Sequence, residues 1–426
     1  MTKFAKGQSG NPDGRQRKPK DGETLALSVV NLAIPDQPRE ISRTSPFFTV
    51  NANESWIPFG SDNLFPQAIA TLNRQSPVHR GILNNKAVYT SAKGFAFDEK
   101  NAKLKAFVSK ANNKNQTLRK VVKNLIVDKY HSGNAYLEIV KGQGFVNIFH
   151  RDYTTARVSK DGKSILFHGG WTNVVNSIKD IKKIPLYPAF EKIDGQMRSV
   201  FHFKCYEPEF TYYGLPDWIA SMDAAGICYK TNKWNLSRLD NSFVNSGVLL
   251  VEGNMSPKEA KKLKADFKKE FIGEGKQGKL LFLIKQLGEG GKTAQSNYTS
   301  FNDVKDADWL NLHKQGIQDL LISHNWFRSL SGLAEAGSMG NTQQIRNEYS
   351  VALNTVIEDE QEFFIEELKK ILLADLGVDA STLAFINKPP ISMIDLIDLD
   401  TILDEDEKRS IAGYAPRTTK KPTEPK

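Results

Sequence analysis

Few stretches of this 426-residue chain hold residue types that could do chemistry. Gly288-Glu289-Gly290-Gly291-Lys292-Thr293 follows an apolar run, as a phosphate-binding loop would. Such a loop needs a glycine five places before the second Gly so the backbone can curl round the phosphates, and that place holds Gln286. Its lysine should also open a helix whose N-terminal dipole faces the anion, yet Ala294-Gln295-Ser296-Asn297-Tyr298 reads as an unpatterned loop. The seven histidines, at 79, 131, 150, 168, 202, 313 and 324, show no H-E-x-x-H or H-x-H spacing, so each is expected to be packed or on the surface. The acidic run Asp395, Asp398, Asp400, Asp404, Glu405, Asp406, Glu407 lacks the Gly and Glu placement of a calcium loop. Cys205 and Cys228 are the only cysteines, without C-x-x-C or zinc spacing. There is no G-x-S-x-G. The expectation is no catalytic, cofactor-binding or metal site.

The elements that would position any such residues come from a chain of ordinary globular composition: 39% hydrophobic, 25% charged and 10% aromatic. That excludes a wholly disordered chain or a low-complexity polymer. No apolar run approaches the roughly 20 residues of a bilayer-spanning helix, and the N-terminus is not a secretory signal, so a soluble, non-secreted protein is expected. The net charge of +9 is uneven. Residues 1–20 carry six Lys/Arg against Asp13, and residues 256–285 carry nine Lys against four acids. Residues 391–409 hold seven acids against Lys408 and Arg409. Basic arms and patches suit a polyanionic partner, or a solvated lysine face.

Residues 1–22 are Gly-, Pro- and Lys/Arg-rich and read as a disordered basic arm. The aromatic-rich stretch 45–66 reads as irregular chain over the surface of the first domain. Helical periods run from Pro66 to Ala92 and from Gln116 to His131, the latter with a stripe of Leu118, Val121, Val122, Leu125 and Ile126. Between Gly133 and Cys205 the period becomes two, with strands at 135–140, 144–149, 165–168 and 198–203. This predicts helices against an antiparallel sheet. Beyond Tyr213-Gly214-Leu215-Pro216 the chain turns helical for about thirty residues, with Trp218, Ile219, Met222, Ala225, Tyr229, Leu236, Leu239 and Phe243 on its apolar side. A strand–helix–strand module follows, with strands at 248–251 and 279–284 around a Lys-rich helix. A second long helix spans 304–324, its apolar side Trp309, Leu312, Ile317, Leu320 and Leu321. A Gly/Ser loop at 329–340 leads to a third helix over 342–376, striped by Ile345, Tyr349, Leu353, Val356, Phe364, Leu368 and Leu372. The fold class predicted is α+β.

This order of elements resembles a tailed-bacteriophage portal protein, the head-to-tail connector. Trp56-Ile57-Pro58-Phe59-Gly60-Ser61-Asp62-Asn63-Leu64-Phe65-Pro66 is similar to a stretch found in portals of phages of Bacteroidetes-like hosts. Tyr213-Gly214-Leu215-Pro216-Asp217-Trp218 looks like the element before the family's stem helix. Phe243-Val244-Asn245-Ser246-Gly247-Val248-Leu249 stands where the family has F-x-N-G-x-x-x-G-x-L, but is shorter and lacks its first Gly. Gly340-Asn341-Thr342 resembles the exit of the tunnel loop, and Phe4 to Arg15 resembles a short motif of phage packaging proteins.

The resemblance implies an α/β wing domain over 23–215, a stem helix over 216–247, a clip over 248–303 and a second stem helix over 304–326. A tunnel loop would span 327–347, a long helix and wing or crown return 348–390, and an acidic segment with a basic disordered tail 391–426. It implies a homo-oligomeric ring, a dodecamer, in the virion at the capsid vertex and assembled in the host cytoplasm. Double-stranded DNA would pass through it during packaging and ejection. Terminase large subunit, major capsid protein and a head-tail adaptor would be its partners, with no membrane, no cofactor and no enzymatic step. Lys230, Lys233, Arg238, Arg328, Gly337, Gly340 and Arg346 are the candidates for the DNA channel. Lys258, Lys261, Lys262, Lys264, Lys268 and Lys269 are the candidates for terminase contact. The alternatives are a nucleic-acid-processing enzyme with a degenerate phosphate loop and a non-viral scaffold. ATP or nuclease turnover would mark the first, and the absence of neighbouring terminase and capsid genes the second.

Overall fold

Two proline-led helices start the described chain: α1 (Phe65–Gln75) and α2 (Pro77–Thr90). The sequence pattern reads them as one helix, but Ser76 sits in extended conformation at φ −94° and ψ 107°. A residue before proline is pushed there by the ring, and Pro77 then serves as the first residue of a new helix. The computed structural model describes residues 55–171, 181–240, 247–252, 258, 261, 262, 265, 280–285, 296–300, 306–333, 342–391 and 404–407.

These fall into two compact units, the larger drawn from residues 41–229 and 314–426 and the smaller from residues 230–313. In the larger unit follow β1 (Phe95–Ala96), α3 (Ala102–Ser109) and α4 (Leu118–Ser132). Thr117 caps α4 by accepting from the Lys120 amide, and Gly133, at φ +72°, ends it in the left-handed conformation that favours glycine. The five-residue stripe expected of this helix is buried throughout. It packs on β2 (Asn134–Gly142) of an antiparallel sheet with β3 (Phe145–Arg151), β7 (Glu191–Ile193) and β8 (Gln196–Lys204), in the order β3-β2-β8-β7. A second antiparallel sheet joins β4 (Ala156–Val158), β5 (Ser164–Phe167) and β6 (Lys182–Pro185).

A 3-10 turn at Asp217–Ser221 leads into α5 (Met222–Asp240). In the smaller unit β9 (Gly247–Glu252) lies between β10 (Leu280–Lys285), parallel to it, and β11 (Ser296–Ser300), antiparallel. The parallel pair matches the expected strand–helix–strand order. β11 corrects the loop read at 294–298: Ser296 to Ser300 take strand conformation by pairing with the edge of β9, a ladder that propensity alone does not reveal. The GGKT stretch lies outside the described residues.

Then come α6 (Asp306–Ser323), α7 (Thr342–Ala352) and α8 (Glu358–Ile371), followed by β12 (Ala384–Phe385) paired with β1. Two π-helical turns, Leu353–Ile357 and Leu372–Leu376, follow α7 and α8. Each admits an extra residue per turn; Ile357 in the first turn and Ile371 at the end of α8 join the expected stripe in the core. Stretch 55–64 is irregular, as expected, whereas Phe65 and Pro66 open α1, and the stretch does not lie over the surface. Ile57 and Phe59 are buried in the core, and Ile57 donates its amide to the Val158 carbonyl.

Candidate functional site

The two motifs that carry the resemblance meet in space. Phe59 stacks on Tyr213 with ring centroids 4.1 Å apart and planes 6° from parallel. The Tyr213 hydroxyl donates to the Ile57 carbonyl at 2.5 Å and accepts the Val158 amide at 2.9 Å, so burial raises its pKa with both polar functions satisfied. Asn63, at φ +60°, turns its side-chain oxygen to the Phe59 amide and to Arg157 Nε at 2.6 Å. Arg157 is fully buried, donates further to the Ala156 and Asn63 carbonyls, and lies 5.0 Å over the Trp171 ring. Burial lowers its pKa to about 10, which leaves it charged at neutral pH. Its guanidinium fork is held by carbonyl dipoles, which explains the Asn of the first motif.

The glycine of the second motif answers a backbone crossing. A Cβ on Gly214 would stand 2.4 Å from the Gly133 carbonyl oxygen, and one on Gly133 would stand 2.3 Å from the Leu215 carbonyl carbon. Asn134 locks the crossing by accepting the Gly214 amide and donating to its carbonyl, both at 2.8 Å. Strand β2 and the lead-in to α5 are thereby fixed to each other.

Just beyond lies a buried charged cluster. Lys86 on α2, with its side chain 1% exposed, donates to Asp217 at 2.6 Å and to the His324 carbonyl at 2.8 Å, and sits 4.7 Å over the Tyr130 ring. His324 Nε2 is 3.0 Å from His79 Nδ1, and His79 Nε2 is 2.8 Å from Asn73 Oδ1. Burial first, and each other's charge or that of Lys86 second, push both imidazoles well below their ordinary pKa. Asn73 Oδ1 only accepts, so His79 donates from Nε2 and receives from His324. One lysine thus ties the residue that opens the α5 segment to the residue that closes α6. The scattered spacing of the histidines gives no hint of a pair 245 positions apart.

Helices α5 and α6 run antiparallel where they leave this cluster. Ser323 donates to Ser221 at 2.5 Å, and seven residues along each helix a Cβ on Gly316 would be 3.2 Å from Cys228 Sγ. Small residues permit this close approach. In the smaller unit Trp234 of α5 stacks on Trp309 of α6 at 4.8 Å. Leu236 and Leu312, expected on the apolar sides, are instead exposed at 59% and 37%, as is Leu310 at 54%.

The sequence-predicted site residues are spread along these elements. Lys230 is exposed and Lys233 half-buried on α5, and Arg238 is on the same helix. Arg328 donates to Gln318 at 3.0 Å at the start of a 3-10 turn, and Arg346 is half-buried on α7. Gly337, Gly340, Lys264, Lys268 and Lys269 lie outside the described residues, whereas Lys258, Lys261 and Lys262 are exposed. The ends flanking residues 334–341 are held together. Ser329 donates through both Oγ and its amide to Glu348, and Tyr89 lies 5.9 Å from Trp326 and 5.8 Å from Tyr349. Among the described residues no group of three or more His, Cys, Asp or Glu is placed to hold a metal ion, and no helix is long and apolar enough to cross a membrane.

Two uncharacterized proteins, from Rickettsia bellii (strain RML369-C) and Rickettsia felis (strain ATCC VR-1525 / URRWXCal2), are each 28% identical over 155 and 160 residues. The matched segment is 36% of this chain, and the chain spans about two fifths of the length of these curated relatives, 38% and 40%. Among solved structures, the neck of a native gene transfer agent particle computed with C12 symmetry aligns with a TM-score of 0.48 at 16% identity, over 83% of this chain and 95% of that one. An HK97 family phage portal protein from Corynebacterium diphtheriae aligns with a TM-score of 0.45 at 12% identity, over 79% and 98%. The family model for phage portal protein matches residues 85–350, more than half of the sequence, and the chain therefore belongs to the phage portal protein family.

Proposed function

We propose that this chain is the subunit of a ring, a dodecamer by analogy with its family, that sits at one capsid vertex of a virion. The ring passes double-stranded DNA during packaging and ejection and docks terminase large subunit, major capsid protein and a head-tail adaptor. The observation that carries the reading is the antiparallel pair α5 and α6, which leaves an α+β unit through one cluster and returns to it with a small three-stranded unit between. In this reading residues 216–247 and 304–326 are the stem, 248–303 the clip and 327–347 the tunnel loop. The role is mechanical and needs no reaction. Exposed Leu236, Leu310 and Leu312 supply lateral apolar contact between subunits.

Phosphate contacts from Lys and Arg are independent of sequence, as passage of a whole genome requires. Lys230, Lys233, Arg238, Arg328 and Arg346, with Gly337 and Gly340 in the loop, are assigned to the channel, and Lys258, Lys261, Lys262, Lys264, Lys268 and Lys269 to terminase. Lys258, Lys261 and Lys262 are free of the core, which suits a docking face. Deleting residues 248–303 tests the assignment. The remainder should keep its fold and lose terminase binding; terminase bound as tightly as by the intact chain would refute it.

A further inference from the structure

A half-open cleft of about 340 Å³ lies in the larger unit where β2, β3 and β8 meet the 113–116 loop and α4. Its walls are polar almost throughout: side-chain amides from the loop, from Asn124 on α4, from Asn147 on β3 and from Gln196 on β8. Four cations line it, Lys114, Arg151, Lys182 and Arg198, against a single lining carboxylate, Glu138. Glu138 is fully buried at the floor of the cleft. It grips Arg198 Nη1 at 2.6 Å and Arg151 Nε at 2.5 Å, with a second contact to Arg151 Nη2. Its one charge answers one of the two guanidiniums and fixes the plane of both. Lys182 is answered on the rim by Asp194 at 2.8 Å, and His150 by Asp128 at 2.7 Å. Lys114 is exposed and lies 5.8 Å above the Phe149 ring.

The balance leaves the cleft positive, with two pre-oriented guanidiniums and a ring of amides that both donate and accept. The geometry points to a binding site for a phosphate ester, with Arg151 and Lys114 taking the phosphate oxygens and the amides taking the hydroxyls of its alcohol. A guanidinium already held by a carboxylate loses little freedom on binding, and the Arg151 Nη1 that Glu138 does not take can donate to a phosphate oxygen. The volume decides between guests: it is at the lower end of small-ligand pockets, well above a lone carboxylate side chain and suited to a phosphorylated sugar or mononucleotide. The phosphate comes either from a free small molecule or from the backbone of nucleic acid. This site is separate from the stem residues assigned above and does not depend on that assignment.

Calorimetric titration of the full chain with inorganic pyrophosphate, with a mononucleotide and with a short DNA duplex tests the proposal. Pyrophosphate and the mononucleotide should bind in low salt, and Lys114→Gln, which leaves the Glu138 cluster intact, should weaken both at least fivefold. Arg151→Gln should weaken them further; if it unfolds the chain, Lys114→Gln alone decides. Lys258→Gln, far along the sequence in the smaller unit, should change nothing. Duplex competing with pyrophosphate in the wild type and losing that competition in Lys114→Gln supports the site with the backbone as its source. No heat with any phosphate probe at millimolar concentration, or binding that Lys114→Gln leaves unchanged, overturns it. So does an acidic peptide that displaces pyrophosphate at lower concentration than the mononucleotide.

Discussion

Substituting Asp217→Asn strands a lysine, and comparing it with Lys86→Met tests how the start of α5 is held. The Lys86 side chain is 1% exposed and that of Asp217 44%, so the two halves of one ion pair see different solvent. Removing the carboxylate leaves a charge out of reach of water, which costs about 3–5 kcal/mol in a fully buried pair. Here the His324 carbonyl and the Tyr130 ring still face the ammonium, which reduces the loss to about 2–3 kcal/mol. Removing the lysine instead leaves a half-hydrated carboxylate that still accepts the Trp218 amide. The main loss is then one donor to the His324 carbonyl, about 1 kcal/mol, with the methionine filling the space. Asp217→Asn should therefore lower the melting temperature of the unassembled subunit by about 3–5 °C and Lys86→Met by less than half of that. The double variant should resemble Lys86→Met, because no charge remains to be stranded. Equal losses from the two single variants, or the reverse order, would refute the reasoning.

Gly133→Ala should cost about 3 kcal/mol in urea unfolding, from a positive φ and a Cβ placed inside the Leu215 carbonyl, and Gly195→Ala, also at positive φ but with open space around its Cβ, should cost clearly less. Arg157→Lys keeps the charge but loses the fork that reaches Asn63 and Ala156, and should lower stability by about 2 kcal/mol; an unchanged midpoint would mean a point charge suffices. His79 and His324 stay neutral when folded and bind protons below pH 6.5 when unfolded, so their contribution is full above that pH and lost as pH falls. Between pH 8 and 5.5 the pair should cost about 3 kcal/mol; His131 and His202, which burial holds at about 4 and about 3, lose as much over the same range, so His324→Gln should remove about a quarter of the slope in urea midpoints.

The sequence pattern reveals what depends on local periodicity. The α4 stripe, the four main strands of the α+β unit and the three long helices are all visible as 3.6- or 2-residue periods, even though β2 and β5 are buried on both faces. Shorter strands such as β4, β6 and β7 hold three or four residues, too few to show a period. The break at Ser76 was written in the Pro that follows it, though apolar residues continue on both sides. Long-range pairings leave no local trace: Phe59 on Tyr213, Asn63 with Arg157, and His79 with His324 join segments 94 to 245 residues apart. The motifs at 56–66 and 213–218 were legible as motifs, but the reason for their Asn and Gly lies in the partners that folding brings to them. Leu236 and Leu312 show the converse. Their helical spacing is sound, yet both side chains are exposed.

The central claim is assembly into a ring with an axial hole, and electron microscopy of the purified full-length protein tests it most directly. Annular particles with a central opening, viewed down their axis and in one dominant stoichiometry, are the expected result. Leu236→Glu with Leu312→Glu should leave folded single subunits. Wild-type protein that stays monomeric at micromolar concentration, alone and when co-expressed with major capsid protein, would contradict the account.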